Sequence, residues 1–305
     1  MEIIFLGTGA GKPSNRRNVS SLILNLAAEA GEYWLFDCGE ATQHQMMRAP
    51  ISPHRVSKVF ITHLHGDHVF GLPGLLTSRS MVEKAPPLEV YGPTGIKELL
   101  ETIMRLTQSY MTYDLTIHEI QTGVIFESQQ FKVKTQKLRH RVPSFGFRIE
   151  EADKPGKLDM KKLRAEGIST GSVLKKLKKG EQVQLEDGRV IHGKDYVGVS
   201  AAGKIVAILG DTQPCTNACE LAYQADVLVH EATFGNAFEK YARMRGHSTA
   251  REAAQVAKDS NVKQLILTHI SQRYSEGDEE SLLRECRDIF PSVKISHDLE
   301  CFTVL

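Results

Sequence analysis

Short runs of apolar and β-branched residues recur along the chain, at residues 3–6, 21–26, 33–36, 59–62, 205–209, 227–229 and 265–268. Runs of this length and make-up predict strands. Between several of them the apolar positions change to helical spacing, over 96–106, 249–260 and 279–290. Strands interleaved with helices predict an α/β fold with mixed sheets. One stretch breaks the pattern. Residues 150–196 are lysine-rich and poor in large apolar side chains, and they end in Val-Gln-Leu-Glu-Asp-Gly-Arg-Val-Ile, whose Asp-Gly suits a tight hairpin turn. The stretch reads as an insertion projecting from a single catalytic domain of 1–305; a solvated helical hairpin that binds nothing is the plain alternative.

With 305 residues and 41% hydrophobic content the chain has enough apolar mass for a sizeable core. No basic leader and no apolar run of bilayer-spanning length stands out, so a soluble, unexported protein with no membrane contact is expected. Five widely spread cysteines without a Cys-x-x-Cys pair argue against a disulfide framework and a zinc ribbon, and suit a reducing cytoplasm. A net charge of +1 argues, by itself, against a polyanionic ligand. Its distribution reverses that. Between Lys154 and Gly180 nine Lys or Arg stand against Asp159 and Glu166, a local charge of +7.

The densest chemistry is Thr62-His63-Leu64-His65-Gly66-Asp67-His68, directly after an apolar run. Neutral imidazoles and carboxylates are the ligands a borderline cation such as Zn²⁺ prefers, and four of them on one tight loop exceed the needs of a single ion. Two metals follow. Because α/β sites form beyond the carboxyl ends of strands, the missing ligands belong after the other apolar runs. Asp211 follows 205–209, His269 follows 265–268, His230 and Glu231 follow 227–229, and His140 follows the strand-like region from Phe131. Taken singly, Asp211 is a turn-former beside Gly210, and His140 or His269 an ordinary polar cap. Their shared position weakens each of those plain readings.

With Asp37 before it and His140, Asp211 and His269 after it, the His63-x-His65-x-Asp67-His68 loop resembles the metallo-β-lactamase superfamily. Within that superfamily the chain is similar to the tRNase Z family over nearly its whole length. The residues that carry this are Phe5-Leu6-Gly7-Thr8-Gly9-Ala10-Gly11, the His230-Glu231-Ala232-Thr233 and His247-Ser248-Thr249 boxes, and the basic insertion. The resemblance implies a four-layer αβ/βα sandwich of two mixed sheets, two Zn²⁺ per subunit, and an arm at about 150–196 that grips tRNA. It assigns His63, His65 and His140 to one zinc and Asp67, His68 and His269 to the other, with Asp211 bridging. Asp37 orients the loop rather than ligating.

The same resemblance makes Asp67 the general base and His247, held by Glu231, the acid that protonates the leaving ribose oxygen. Without it, His247 reads as a residue preceding a helix capped by Ser248 or Thr249. The reaction implied is removal of the 3′ trailer from precursor tRNA, leaving a 3′-hydroxyl on the tRNA and a 5′-phosphate on the trailer. Lys175, Lys176, Lys178 and Lys179 are the expected phosphate contacts of the arm. Pro13-Ser14-Asn15-Arg16-Arg17-Asn18 resembles the family's Pro-x-Lys-x-Arg-Asn element, with Arg17 and Asn18 as expected substrate contacts and Asn15 in the lysine's place. Two further departures are Ser169-Thr170-Gly171-Ser172, which lacks the arm's usual proline, and Ser296-His297-Asp298-Leu299, which keeps only the aspartate of the family's Ala-x-Asp element. A homodimer is implied as well, one subunit's arm serving the other's site. Competing readings are a phosphodiesterase acting on small substrates, which leaves the arm and both His boxes without a task, and a metal-stabilised RNA-binding protein, which ligand loss would have favoured.

Overall fold

Along the first strand, Glu2–Gly7, Ile3 and Phe5 are fully buried while Glu2 and Ile4 are partly exposed, the alternation of a strand whose two faces meet different surroundings. A computed structural model describes residues 1–168, 171–185 and 187–305. Two seven-stranded sheets form its frame. From edge to edge the first contains Cys301–Thr303, Glu2–Gly7, Ser21–Leu26, Glu32–Phe36, Val56–Phe60, Leu88–Gly92 and Leu115–Glu119. Its first half is antiparallel and its second parallel. The second runs Val293–Ile295, Gln264–Thr268, Val227–Glu231, Ile205–Leu209, Phe145–Glu151, Phe131–Lys137 and Gly123–Glu127, again mixed.

Phe147 of the second sheet packs against Phe36 and Phe60 of the first, with ring centroids 5.7 and 5.4 Å apart, so aromatic rings fill the space between the sheets. Outside the first sheet, Leu35, Val59, Ile61 and Val90 meet Met46, Leu72, Leu75 and Leu100 of the helices Thr42–Arg48, Leu72–Arg79 and Ile96–Thr107. Outside the second, Ala207, Leu228 and Leu265 meet the small residues Ala250, Ala253, Ala254 and Ala257 of helix Ala250–Asp259, and Leu282 of helix Glu276–Arg287. The result is the four-layer αβ/βα arrangement.

Strands such as Leu88–Gly92, Leu115–Glu119 and Phe145–Glu151 lie outside the runs read from the sequence, and three of the expected elements have shifted bounds. The last long helix starts at Glu276 rather than 279, because Ser275 and Asp278 form a reciprocal capping box. The strand expected at 227–229 continues through His230 and Glu231. The one expected at 59–62 lies at Val56–Phe60, since the Thr62 N–H leaves the ladder and donates to Asp37 Oδ1 at 2.8 Å.

The chain divides into two compact units, and the smaller comprises 150–204 with 129–131. It runs past 196 because its return leg pairs back on its outgoing one, Leu158 with Val197 and Lys154 with Ala201. Helices Met160–Ala165 and Ser172–Lys178 and the hairpin Gln182–Gln184 and Val190–His192 enclose a small core of Leu163, Ile168, Leu177, Val183, Ile191 and Tyr196. All nine basic residues from Lys154 to Lys179 are exposed. Ser169 and Thr170, where the expected proline is missing, lie outside the described residues.

Candidate metal centre

The site gathers at the carboxyl ends of strands, where chain reversals bring polar side chains together beyond the apolar ladders. Val56–Phe60 leads into His63, His65, Asp67 and His68, Phe131–Lys137 into His140, Ile205–Leu209 into Asp211, and Gln264–Thr268 into His269. His269 takes a left-handed backbone (φ 57°), as does Asp37 (φ 55°), conformations a non-glycine residue holds only where its surroundings enforce them.

Three overlapping groups of ligand-type atoms result among the described residues: His63, His65, His140 and Asp211; Asp67, His68 and His269; and Asp211, His247 and His269. In the first, His65 Nδ1 lies 3.0 Å from His63 Nε2 and 3.4 Å from His140 Nε2, with Asp211 Oδ2 3.7 Å from His63 Nε2. In the second, His269 Nε2 stands 3.3 Å from His68 Nε2, 3.4 Å from Asp67 Oδ2 and 3.5 Å from Asp211 Oδ2. Tetrahedral ligands at the 2.0–2.1 Å usual for zinc are about 3.3–3.4 Å apart, so the donor set and its spacing fit such an ion. Asp211 lies between the first two groups, its Oδ2 near His63 and His269 and its Oδ1 3.5 Å from His68 Nε2.

Electrostatics agree. Burial, then the neighbouring His68, holds His63 well below the ordinary imidazole range, in the neutral form a metal needs. Burial and His140 lower His65 too. Against the upward pull of burial, His269 and His68 hold the Asp67 carboxyl well below the usual carboxylate range. His68 is the opposite case: although burial opposes charge, Asp211 and Asp37 hold its ring well above the ordinary range. Buried carboxylates there demand positive charge, which a cation would supply in the proton's stead.

Outer partners aim the rings. His68 Nδ1 donates to Asp37 Oδ2 at 2.7 Å, His140 Nδ1 to the Gly246 carbonyl at 2.8 Å, and His269 Nδ1 faces Thr233 Oγ1 at 2.9 Å. Asp37 also accepts from the Thr62 hydroxyl at 2.9 Å, pinning the loop that carries four ligands.

Beside the ligands, His247 Nδ1 lies 2.9 Å from Glu231 Oε1, which also accepts from the Thr212 N–H at 2.9 Å. Burial disfavours the imidazolium, but Glu231, with Asp211 adding, pushes His247 up to about 9. Its helix is capped by Thr249 in a capping box with Glu252, so His247 itself is not the cap. Thus His247 and Glu231 are brought to the metal cluster, and His247 lines a cavity of about 460 Å³ together with His65, Asp67, Asp211, His269 and Arg273.

Arg17 and Asn18, expected as substrate contacts, are instead buried and occupied internally. Arg17 binds the Thr8 hydroxyl, the Ser296 carbonyl and Glu279; Asn18 donates its side-chain amide to the Glu40 carbonyl and its N–H to Asp298. They shape the loop, while its exposed Asn15 and Arg16 line a neighbouring cavity of about 500 Å³ with Gln272 and Arg273. Asp298 therefore ties this loop down rather than reaching the cluster. Lys175, Lys176, Lys178 and Lys179 belong to the other unit.

Sequence reasoning missed Arg273, whose guanidinium lies 4.9, 4.4 and 5.2 Å from the rings of Phe234, Phe238 and Tyr241. It also missed Thr233 and Gly246. Only Thr233 had a signal, its place in the His230-Glu231-Ala232-Thr233 box.

The fold and this cluster define a hydrolase of the metallo-β-lactamase superfamily. Family models match at residues 179–270, described as a beta-lactamase superfamily domain, and at 1–154, described as anti-Pycsar protein Apyc1. The chain is 52% identical to ribonuclease BN of Erwinia tasmaniensis over 99% of both chains, and 51% identical to ribonuclease Z of Listeria welshimeri over 100% of this chain and 99% of that one. The crystal structure of human tRNase Z, short form, superposes with a TM-score of 0.73 at 32% identity over the whole of both chains. This chain belongs to the ribonuclease Z/BN family. Among the described residues no helix is long and apolar enough to cross a membrane.

Proposed function

We propose that the protein is a two-zinc endoribonuclease that removes the 3′ trailer from precursor tRNA, leaving a 3′-hydroxyl on the tRNA and a 5′-phosphate on the trailer. Family membership supports the class of reaction, and the His247–Glu231 pair beside two complete ligand sets carries the reading: an RNA 3′ oxygen is a poor leaving group and needs a proton.

His63, His65 and His140 would hold one zinc and Asp67, His68 and His269 the other, with Asp211 shared. What zinc supplies when bound is a water acidified toward neutrality and positive charge for the phosphate oxygens. Asp67 Oδ2 faces His269 Nε2 across the second metal position and accepts from the Gly11 N–H at 2.9 Å, so Oδ1 is the oxygen left to take the proton of the attacking water. With Nδ1 of His247 committed to Glu231, Nε2 is the nitrogen that protonates the leaving oxygen. The exposed lysines of 150–204 would hold tRNA phosphates, and Asn15 and Arg16 face the end of the RNA. A homodimer working in the cytoplasm completes the proposal.

End-mapping of a cleaved precursor tRNA tests it. A 3′-hydroxyl at the mature boundary is expected; equal or faster turnover of a small chromogenic diester, with the precursor left intact, would replace it with the small-substrate phosphodiesterase.

A further inference from the structure

A hydroxyl has one proton to give and two lone pairs with which to accept. Thr233 Oγ1 lies 2.6 Å from Glu231 Oε2 and 2.9 Å from His269 Nδ1. Glu231, as a carboxylate, only accepts, so the hydroxyl proton goes to Oε2 and the oxygen is left to accept from His269 Nδ1–H. That bond leaves the Nε2 lone pair facing His68, Asp67 and Asp211, at 3.3, 3.4 and 3.5 Å.

Two other ligand histidines are held differently. His68 leans on the Asp37 carboxylate and His140 on the Gly246 carbonyl, groups that accept whatever their surroundings. Thr233 could also turn its proton toward His269, and it is Glu231, by taking that proton, that leaves the oxygen as the acceptor. We propose that Thr233 is a positioning residue that couples the second metal position to the proton-donating pair: with its proton held by Glu231, its oxygen fixes the tautomer of His269. An enzyme so built holds its second metal firmly when the partner of its acid is in working order. This rests on the ligand assignment proposed above.

The test is stepwise withdrawal of zinc from the holoenzyme by a chelator of known affinity. Thr233→Val keeps the shape and removes the hydroxyl: the second zinc should be lost about 10–100-fold more readily, with the first unchanged. Thr233→Ser should restore wild-type release. Glu231→Ala, which leaves Thr233 in place without that acceptor, should loosen the same zinc, and it stands in if the valine variant does not fold. Wild-type release from Thr233→Val, or from Glu231→Ala, overturns the coupling. His269→Ala separates this from the ligand reading: if it too keeps both ions, the assignment of His269 is what failed.

Discussion

Seven side chains between His63 and His269 converge in the metal centre from the ends of four strands, and outer hydrogen bonds aim their rings. In the unit of 150–204, by contrast, a core of six buried residues supports a lysine-bearing surface built almost wholly from neighbours in sequence. Chemistry at phosphorus needs atoms placed to a fraction of an ångström, whereas a grip on a polyanion needs charge density on a stable support. The two units should therefore fail differently when single residues change: the first abruptly and by position, the second gradually and by charge.

Asp211→Ala should be the most damaging change, because it removes the ligand common to both sets. Metal chemistry supplies several kcal/mol, so trailer removal should fall by about 10³-fold or more. Metal analysis of the purified variant should show both ions depleted. A variant that keeps two ions and cuts normally would refute the shared-ligand reading.

His247→Ala should leave both ions bound and lower kcat by about 10²–10⁴-fold, the range of general acid catalysis. The sign of the pH dependence follows from the raised value: the ring is protonated below about 9, so the rate should fall as pH rises through that value. Glu231→Gln removes the carboxylate that favours the imidazolium and should move this alkaline limb to lower pH. A limb that stays in place would mean that another group is the acid.

Gly246→Ala should act through structure. The residue has φ +85°, and a Cβ there would stand 2.9 Å from His140 Nδ1 and 3.0 Å from Arg141 Cγ. The left-handed backbone alone costs an alanine about 1–2 kcal/mol, visible as a lower Tm. Because the Gly246 carbonyl aims His140, the first metal position should weaken as well; a lower Tm with unchanged metal affinity would show that the bond is dispensable.

Apolar runs and helical spacing made seven of the strands and three of the longest helices legible in the sequence, and the position of His63, Asp211 and His269 just after apolar runs pointed to the cluster that the fold assembles. What stayed hidden depends on contacts between distant segments. The capacity of Thr233 to serve His269 and Glu231 together appears only once the ends of adjacent strands lie side by side. Arg17 looked like a surface cation because nothing local shows that Thr8, Ser296 and Glu279 enclose it. The extent of the lysine-rich unit was misjudged for the same reason, since the return leg to 204 carries no periodic signal and is fixed by bridges to residues dozens of positions earlier.

The gentlest changes probe the lysine-rich unit. Lys175, Lys176, Lys178 and Lys179 are exposed on helix Ser172–Lys178 or just past it. If they act as a field of charge, each Lys→Ala substitution should raise KM for precursor tRNA by a similar factor, about five-fold near 0.15 M salt, and leave kcat unchanged. Each should also flatten the log–log salt dependence of binding by about one unit. Lysine to arginine keeps the charge and should keep the affinity. One substitution that outweighs the other three, or an arginine that fails to replace a lysine, would mean that this surface reads its partner by position, as the metal centre does, and the contrast between the two units would be lost.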